Sequence, residues 1–468
     1  MNLAQNILAV AETHPTLPAI IDPSTGRVFT YRELIENVQA FAGGLLKQGI
    51  KPGDRVALLI PNSPEFIFLM LAVWRLSATA VPIGMGLGRI ELDEILANAD
   101  PDLLIVQAGS LKPPVKKYLK GKPVYVAGGA TGDYPSLFKL KDSGRLDLPD
   151  FNSHQHSLAC IIYTYRGLGY PLGAMIPHEQ IWRGATLLRN GHGTEPGQKM
   201  LVILPLAHIL SLVSCLLMPL MGGMGIVLCD SVKPSTVFSL IEKHRIYTTA
   251  VIPELLGLWL KFDIGDYDVS SLKLILSGGS DLRRSIWRAI VKKLKVEVLH
   301  GYGLTEITPV SGNTKGKSHL GTVGPVVKDV DYRIHQPDGK GRGELQLKSD
   351  HLFVGYNKRE REYAESFLDG WFRTGDICHL EKGYLVFDRE KKQTRKKNGR
   401  IVDLVELKNV FEKFPLIKKA EVRSRNGRTT VALTLIDPRH EPNILEMKKT
   451  LALLLSAAKG VQEILIKT

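Results

Sequence analysis

The sequence predicts an α/β protein. It expects a large N-terminal domain of α/β subdomains with mainly parallel sheets plus a small antiparallel, barrel-like sheet, then a smaller α+β C-terminal domain. Three observations carry this. Helical and strand-like segments alternate from Thr30 to Leu299, the pattern of parallel sheets covered by helices. Between Gly321 and Tyr356 the alternation gives way to short strands separated by Gly, Pro and Asp. From Arg389 the charge shifts: the last 80 residues hold 19 Lys/Arg against 9 Asp/Glu, so +10 of a formal net charge of +14. The expected domains are therefore 1–388 and 389–468, and 468 residues are enough for more than one core.

The elements follow in order. Thr30 with Glu33 three residues on reads as a capping box, and Leu34, Ile35, Val38, Phe41, Ala42, Leu45 and Leu46 recur at helical spacing until Gly49. Arg55–Ile60 reads as a strand, Glu65–Arg75 as an apolar helix and Thr79–Ile83 as a strand. Asp102–Gln107 and Pro123–Ala127 read as further strands. Gly128–His156 is polar and irregular, a surface connection. Strands resume at Met200–Leu204, Met224–Leu228, Tyr247–Ile252, Leu272–Leu276 and Lys295–Leu299. Val330–His335 and Gly343–Lys348 are the clearest strands of the small sheet. In the tail, Leu407–Phe414 and Glu446–Ala457 read as helices with a strand at Thr429–Ile436 between them.

Composition narrows the function classes. A hydrophobic fraction of 44% and a charged fraction of 23% are those of a globular protein. The four cysteines are scattered, with no CxxC pair, which argues against a zinc site or disulfide framework and fits a reducing, cytoplasmic setting. No signal peptide is expected from Met1-Asn-Leu-Ala-Gln. Leu201–Cys229 carries no Asp, Glu, Lys or Arg, but Pro205, His208, Pro219 and Gly222-Gly223 divide it into strand, loop, helix and strand, so no transmembrane segment is expected. The basic run Lys391, Lys392, Arg395, Lys396, Lys397, Arg400 lacks interleaved aromatics, so nucleic acid is not the expected partner. Phosphates of a ligand, an acidic protein, or plain solvation are the readings left for it.

One stretch reads as chemistry. Ser157–Thr164 is an apolar strand, and Gly167, Gly169 and Gly173 follow it. A glycine loop after a strand can present N–H groups to an anion, or it can be a plain turn. It is neither a Walker A loop nor GxGxxG.

Several motifs together resemble the adenylate-forming superfamily of acyl-CoA synthetases, luciferases and adenylation domains. Tyr31–Leu34, Gly53–Val56 and Asn62–Glu65 look like its N-terminal landmarks. Pro205-Leu-Ala-His208 resembles PLxH, and Ser277-Gly-Gly-Ser280 resembles SGGA. Gly301-Tyr-Gly-Leu-Thr-Glu306 matches YGxTE, and Trp371-Phe-Arg-Thr-Gly-Asp376 matches W[FY]xTGD. Asp388-Arg-Glu-Lys-Lys392 looks like the hinge. The resemblance implies that a fatty or aryl acid attacks ATP to give an acyl-adenylate. The thiol of CoA, or the phosphopantetheine of an acyl carrier protein, then takes the acyl group.

The resemblance also implies roles. Thr305, Glu306 and His208 would be catalytic, with Glu306 on Mg²⁺ and His208 beside the substrate carboxylate. Thr164, Arg166, Gly167, Gly169, Gly278, Gly279, Ser280, Gly301, Tyr302, Gly303, Thr305, Asp376 and Arg389 would bind ATP or AMP. Tyr302 would stack on adenine and Asp376 would hold the ribose hydroxyls. Lys391 would be the hinge.

The sequence departs from the pattern twice. Where the family's loop reads roughly YTSGTTGxPKG, the Ser/Gly/Thr/Thr run is here Tyr165, Arg166, Gly167, Leu168, and the loop lysine is Leu172. Lys459–Thr468 resembles the segment before a late lysine motif that this sequence does not contain. Two readings follow: an ATP-dependent acid–thiol ligase with a modified loop, or a non-catalytic relative that binds nucleotide, an acyl ligand or a partner protein. The acyl pocket is expected from Pro205–Ser211 and Val251–Leu256.

Overall fold

The computed structural model describes residues 2–87, 89–111, 121–129, 134–141, 157–166, 170–390, 395–397, 400–402, 417–425, 428–435 and 461–467. Two largely parallel sheets form the bulk. The first runs in the order 124–127, 103–107, 55–59, 79–82, 158–164, 172–177, parallel except for its last hairpin. The second has eight strands, in the order 307–312, 297–304, 274–277, 248–251, 199–202, 225–228, 18–22, 27–30. Its six central strands are parallel, and both edge pairs are antiparallel.

Strand alternation explains the layers. Ile20, Ile226, Met200, Ala250 and Leu276 face one core, whereas Ile21, Val227, Leu201, Val251 and Ile275 face another. Strands buried on both faces must be apolar throughout, which accounts for the charge-free run at 201–229. That run is a strand at Lys199–Val202, helical turns from Ile209 to Met221 with a π-helical middle, and a strand at Gly225–Leu228. Among the described residues, no helix is long and apolar enough to cross a membrane.

Helices fill the space between the sheets. The helix Pro64–Arg75 buries ten of its twelve residues, capped by the Ser63 hydroxyl. Trp74 Nε1 donates to Ala159 O of the first sheet at 2.9 Å. Tyr31 Oη, at the start of the capping-box helix Tyr31–Lys47, donates to Met224 O beside the second sheet at 2.8 Å. The helix His178–His192 packs so closely on the strand Ile307–Gly312 that a Cβ on Gly184 would lie 2.3 Å from Thr308 O. Only glycine allows that approach.

The small sheet is antiparallel: 331–335, 343–348, 371–381, with 367–368 and 384–390 both on the last. Its strand Tyr384–Glu390 runs two residues past the expected boundary at 388. Beyond it are a hairpin, 395–397 with 400–402, and a three-stranded sheet, 417–425, 428–435, 461–467. The expected tail helices, the hinge Lys391 and most of 128–156 lie outside the described residues.

Some elements differ from expectation. The strand expected at Lys295–Leu299 is Glu297–Leu304, because it continues into a hairpin with Ile307–Gly312 that its glycines disguised. The helix Leu3–Thr13 was missed, although Leu3, Ile7, Leu8 and Ala11 have helical spacing and Asn2 caps it.

Three histidines sit in these cores, His178, His192 and His300, each 2–3% exposed. Burial pushes their pKa values down to about 3, 4 and 4 respectively. An unfolded histidine titrates near 6.5, so between that pH and about 4 the unfolded chain binds more protons. Stability is therefore full above pH 6.5 and lost on acidification, on the order of 3 kcal/mol per histidine by pH 4. The urea midpoint should fall steadily from pH 7 to 4.5, and His300→Asn should remove about a third of that slope. An unchanged slope in the variant would show that His300 is not a source of it.

Candidate active site

A cleft of about 1060 Å³ opens beyond the carboxyl ends of the parallel strands Lys199–Val202, Leu274–Ser277 and Glu297–Leu304, where ligands of open α/β sheets bind. Its wall collects residues from four separate stretches: Thr164 and Arg166, His208, Gly278 and Gly279, and Gly301 through Glu306. The remainder mixes apolar side chains, among them Leu187, Leu188, Ile209, Leu210, Leu276, Leu299, Val326 and Val327, with polar and charged ones that include Asn313, Lys315, Lys317, Lys328 and Asp329.

The hairpin 297–304/307–312 places Thr305 and Glu306 at its turn, so this Thr-Glu pair is no helix cap. Gly303 packs closely there, since a Cβ would come within 2.5 Å of Thr308 Oγ1 and push that side chain aside. The turn is clamped: Gln180 Nε2 donates to Glu306 O at 3.0 Å, and Phe353 N donates to the same oxygen at 2.9 Å.

The Glu306 side chain is 1% exposed. Its Oε1 accepts a hydrogen bond from Tyr356 Oη and lies 3.7 Å from Arg166 Nε. Arg166 is held in turn. Nη1 donates to Tyr356 Oη at 3.1 Å and to Ser366 Oγ at 3.2 Å, Nη2 donates to Arg373 O, and the guanidinium lies 4.7 Å from the centre of the Phe372 ring. Its φ is +44°, in the left-handed region that favours glycine. Burial, then the Glu306 charge, raise the pKa of the Tyr356 hydroxyl, which keeps its proton.

A second carboxylate is arranged alike. Asp376, 5% exposed, receives the Tyr302 hydroxyl on Oδ2 at 2.6 Å, while its backbone N donates to Thr374 Oγ1 at 3.0 Å. Burial and the Asp376 charge raise the Tyr302 pKa. Asp376 thus lies one hydrogen bond behind the cleft wall that Tyr302 and Thr374 line.

Other expected residues fare differently. Ser280 is exposed and outside the cleft, its hydroxyl held by Glu254 at 3.0 and 3.1 Å. Arg389 pairs through its backbone with Ile377, next to Asp376. Gly167 and Gly169 lie outside the described residues. Leu172, at the position of the family's loop lysine, is a core residue at 1% exposure. The expected pocket segment Val251–Leu256 does not line the cleft. Leu187–Gly193 and Pro325–Asp329 take its place, because the helix His178–His192 and the chain after the hairpin fold over the cavity. Tyr356, Ser366 and Phe372 were not foreseen. They stand about 200 residues from Arg166, and nothing in the local sequence announces the contact.

The fit of Mg²⁺ to Glu306 can be judged from these contacts. An ion on Oε1 would compete with the Tyr356 hydroxyl for that oxygen and stand within about 6 Å of the guanidinium, a repulsion on the order of 5 kcal/mol at an effective dielectric of 20. With Arg166 in place, Oε1 of Glu306 does not fit a directly bound dication.

The family model described as AMP-binding enzyme matches residues 8–357. The chain is 28% identical over 426 residues to a long-chain-fatty-acid–CoA ligase of Mycobacterium tuberculosis, covering 88% of this chain and 83% of that one. It is 27% identical over 461 residues to a 4-coumarate–CoA ligase of Oryza sativa subsp. japonica, covering 93% and 83%. The structure of an anthranilate CoA ligase in complex with anthranoyl-AMP superposes with a TM-score of 0.80 at 21% identity, over 100% of this chain and 93% of that one. A Mycobacterium tuberculosis fatty acyl CoA synthetase gives 0.76 at 24%, over 100% and 94%. Both share the fold, including the curled antiparallel sheet.

The buried pair makes a sharp expectation. Arg166→Met should cost on the order of 3 kcal/mol, because Glu306 keeps its burial and loses its counter-charge. Arg166→Met with Glu306→Gln should recover most of that loss. A double-mutant cycle by chemical denaturation measures the coupling, and additive losses would show that the two groups do not support each other.

Proposed function

The chain belongs to the AMP-binding enzyme family, and we propose that it is an AMP-forming acid–thiol ligase acting on a fatty or aryl acid. One observation carries this reading: residues of four distant motifs, expected to meet at ATP, line a single cleft that also carries the apolar side chains Leu187, Leu188, Val326 and Val327. The relatives named for long-chain fatty acids and for 4-coumarate support an apolar or aromatic acid.

In this reading the acid's chain lies along Leu187, Leu188 and Val326, with its carboxylate beside His208. A carboxylate oxygen attacks the α-phosphorus of ATP, and the bond to pyrophosphate breaks. The developing charge on the phosphate oxygens meets the Thr305 hydroxyl, the Arg166 guanidinium and the N–H groups of the loop at Thr164, Gly167 and Gly169. Gly278, Gly279, Gly301 and Gly303 let adenine approach the backbone, and the Tyr302 ring covers it. The ribose hydroxyls replace the Tyr302 hydroxyl on Asp376, with Arg389 nearby. In the second half-reaction, a thiolate attacks the acyl carbonyl and AMP leaves.

The acceptor is CoA or the phosphopantetheine of an acyl carrier protein, and the +10 charge from residue 389 onward suits the phosphates of either. Residues 389–468 act as the moving domain, with Lys391 as hinge just past the strand Tyr384–Glu390. A cytoplasmic place is supported by four free, buried cysteines, and a role in fatty acid metabolism by the relative named for long-chain fatty acids.

Pyrophosphate release, measured with ATP, Mg²⁺ and a panel of fatty and aryl acids, tests the reading. At least one acid should give release and a thioester with CoA. Asp376→Ala should lower kcat/KM by about 100-fold, equivalent to about 2.7 kcal/mol of transition-state binding. No release with any acid, alongside measurable ATP binding, would sink the ligase and leave a nucleotide-binding relative.

A further inference from the structure

The loop that departs most from the family carries a charge held by several partners. Arg166 stands where the family's loop has the glycine of its Ser/Gly/Thr/Thr run, and it keeps glycine's backbone, at φ +44°. A non-glycine residue costs free energy in that region and persists where surrounding contacts hold it. Here the contacts are Tyr356 Oη, Ser366 Oγ, Arg373 O, the Phe372 ring and the Glu306 carboxylate. All except Glu306 come from the small antiparallel sheet or the chain leading into it.

A guanidinium has five N–H groups, and these contacts take three. Among the described residues, Nε–H and one Nη2–H carry no hydrogen bond, and Arg166 lines the cleft. Both are donors that a phosphate oxygen in the cleft can take, with Nε also the atom nearest Glu306 Oε1, at 3.7 Å. A metal ion on Glu306 would supply positive charge to the phosphates from this point. The guanidinium already supplies it, and the same carboxylate that would ligate the ion lies 3.7 Å from the cation instead.

We propose that Arg166 takes the place of the divalent cation. The β- and γ-phosphates of ATP meet Arg166, Glu306 is the positioning residue of that guanidinium, and triphosphate binding to this chain needs no Mg²⁺. The inference rests on the adenylate-forming reading of the cleft.

Calorimetric binding of ATP and of AMP to the full chain, in EDTA and in excess MgCl₂, tests it. The ATP dissociation constants with and without metal should agree within about threefold in the wild type. Arg166→Gln should weaken ATP binding in EDTA by about tenfold or more and make it metal-dependent, whereas Arg166→Lys, which keeps the charge but not the planar fork, should retain only part of the metal-free affinity. Glu306→Gln should weaken ATP equally in both buffers, whereas a metal ligand would lose only the Mg²⁺-dependent part. The wild-type comparison decides even where a variant fails to fold. AMP binding with ATP binding lost in EDTA and restored by Mg²⁺ would overturn the inference and leave the ligase reading intact. Binding of neither nucleotide would overturn both.

Discussion

A carboxylate with almost no exposed surface must be neutralised, and the ground around the cleft is arranged to do this for Glu306. A buried ionised carboxylate without partners costs several kcal/mol, so its hydrogen bonds and counter-charge are conditions of the fold there. Gln180 and Phe353 N hold the turn through the Glu306 carbonyl, and Tyr356 and Arg166 meet the side chain. These partners come from the helix His178–His192, the small antiparallel sheet region and the glycine loop. One residue thus ties three elements to the hairpin that carries Thr305, the helix through its carbonyl and the other two through its carboxylate. The approach of Gly184 to Thr308 O makes the helix available, and the partly buried guanidinium reaches back across the cleft to close the circuit.

The second pair, Tyr302 with Asp376, obeys the same rule with a neutral donor. The contrast between the two carboxylates is chemical. A phenol hydroxyl on Asp376 can be exchanged for another hydroxyl, such as that of a sugar, at little net change, since one neutral hydrogen bond replaces another. A guanidinium beside Glu306 cannot be exchanged for a dication without moving a charge.

Much of this was readable from residue order. The capping box at Thr30 and Glu33, the strands at 103–107, 124–127 and 343–348, and the division of 201–229 into strand, helical turns and strand all follow from periodicity and punctuation. The motif residues Thr164, His208, Gly278, Gly279 and Gly301–Glu306 meet in one cleft, as expected. The helix His178–His192 was not seen, because Gly184 and Gly191 weaken its pattern and its value lies in packing on a strand about 120 residues away. The hairpin turn at Thr305–Glu306 was hidden by glycines that serve close approach rather than flexibility. Ser280 illustrates the opposite failure: the motif named it, but its hydroxyl is held by Glu254 outside the cleft.

What the sequence determined alone was therefore the layer architecture and the identity of the motif side chains, since both rest on local patterns of period two, period 3.6 and turn chemistry. What only the tertiary structure decided was the electrostatic state of the site. Arg166 reads in sequence as a lost glycine and as a loop charge expected to bind ATP or AMP. Its role depends on a hydroxyl at Tyr356, a carbonyl at Arg373 and a ring at Phe372, brought within hydrogen-bonding or van der Waals reach across some 200 residues by the packing of the small sheet against the loop. Hydrogen bonds need donor and acceptor within about 3.5 Å and Coulomb energies scale inversely with distance, and such distances are set by the folded chain and not by spacing along it.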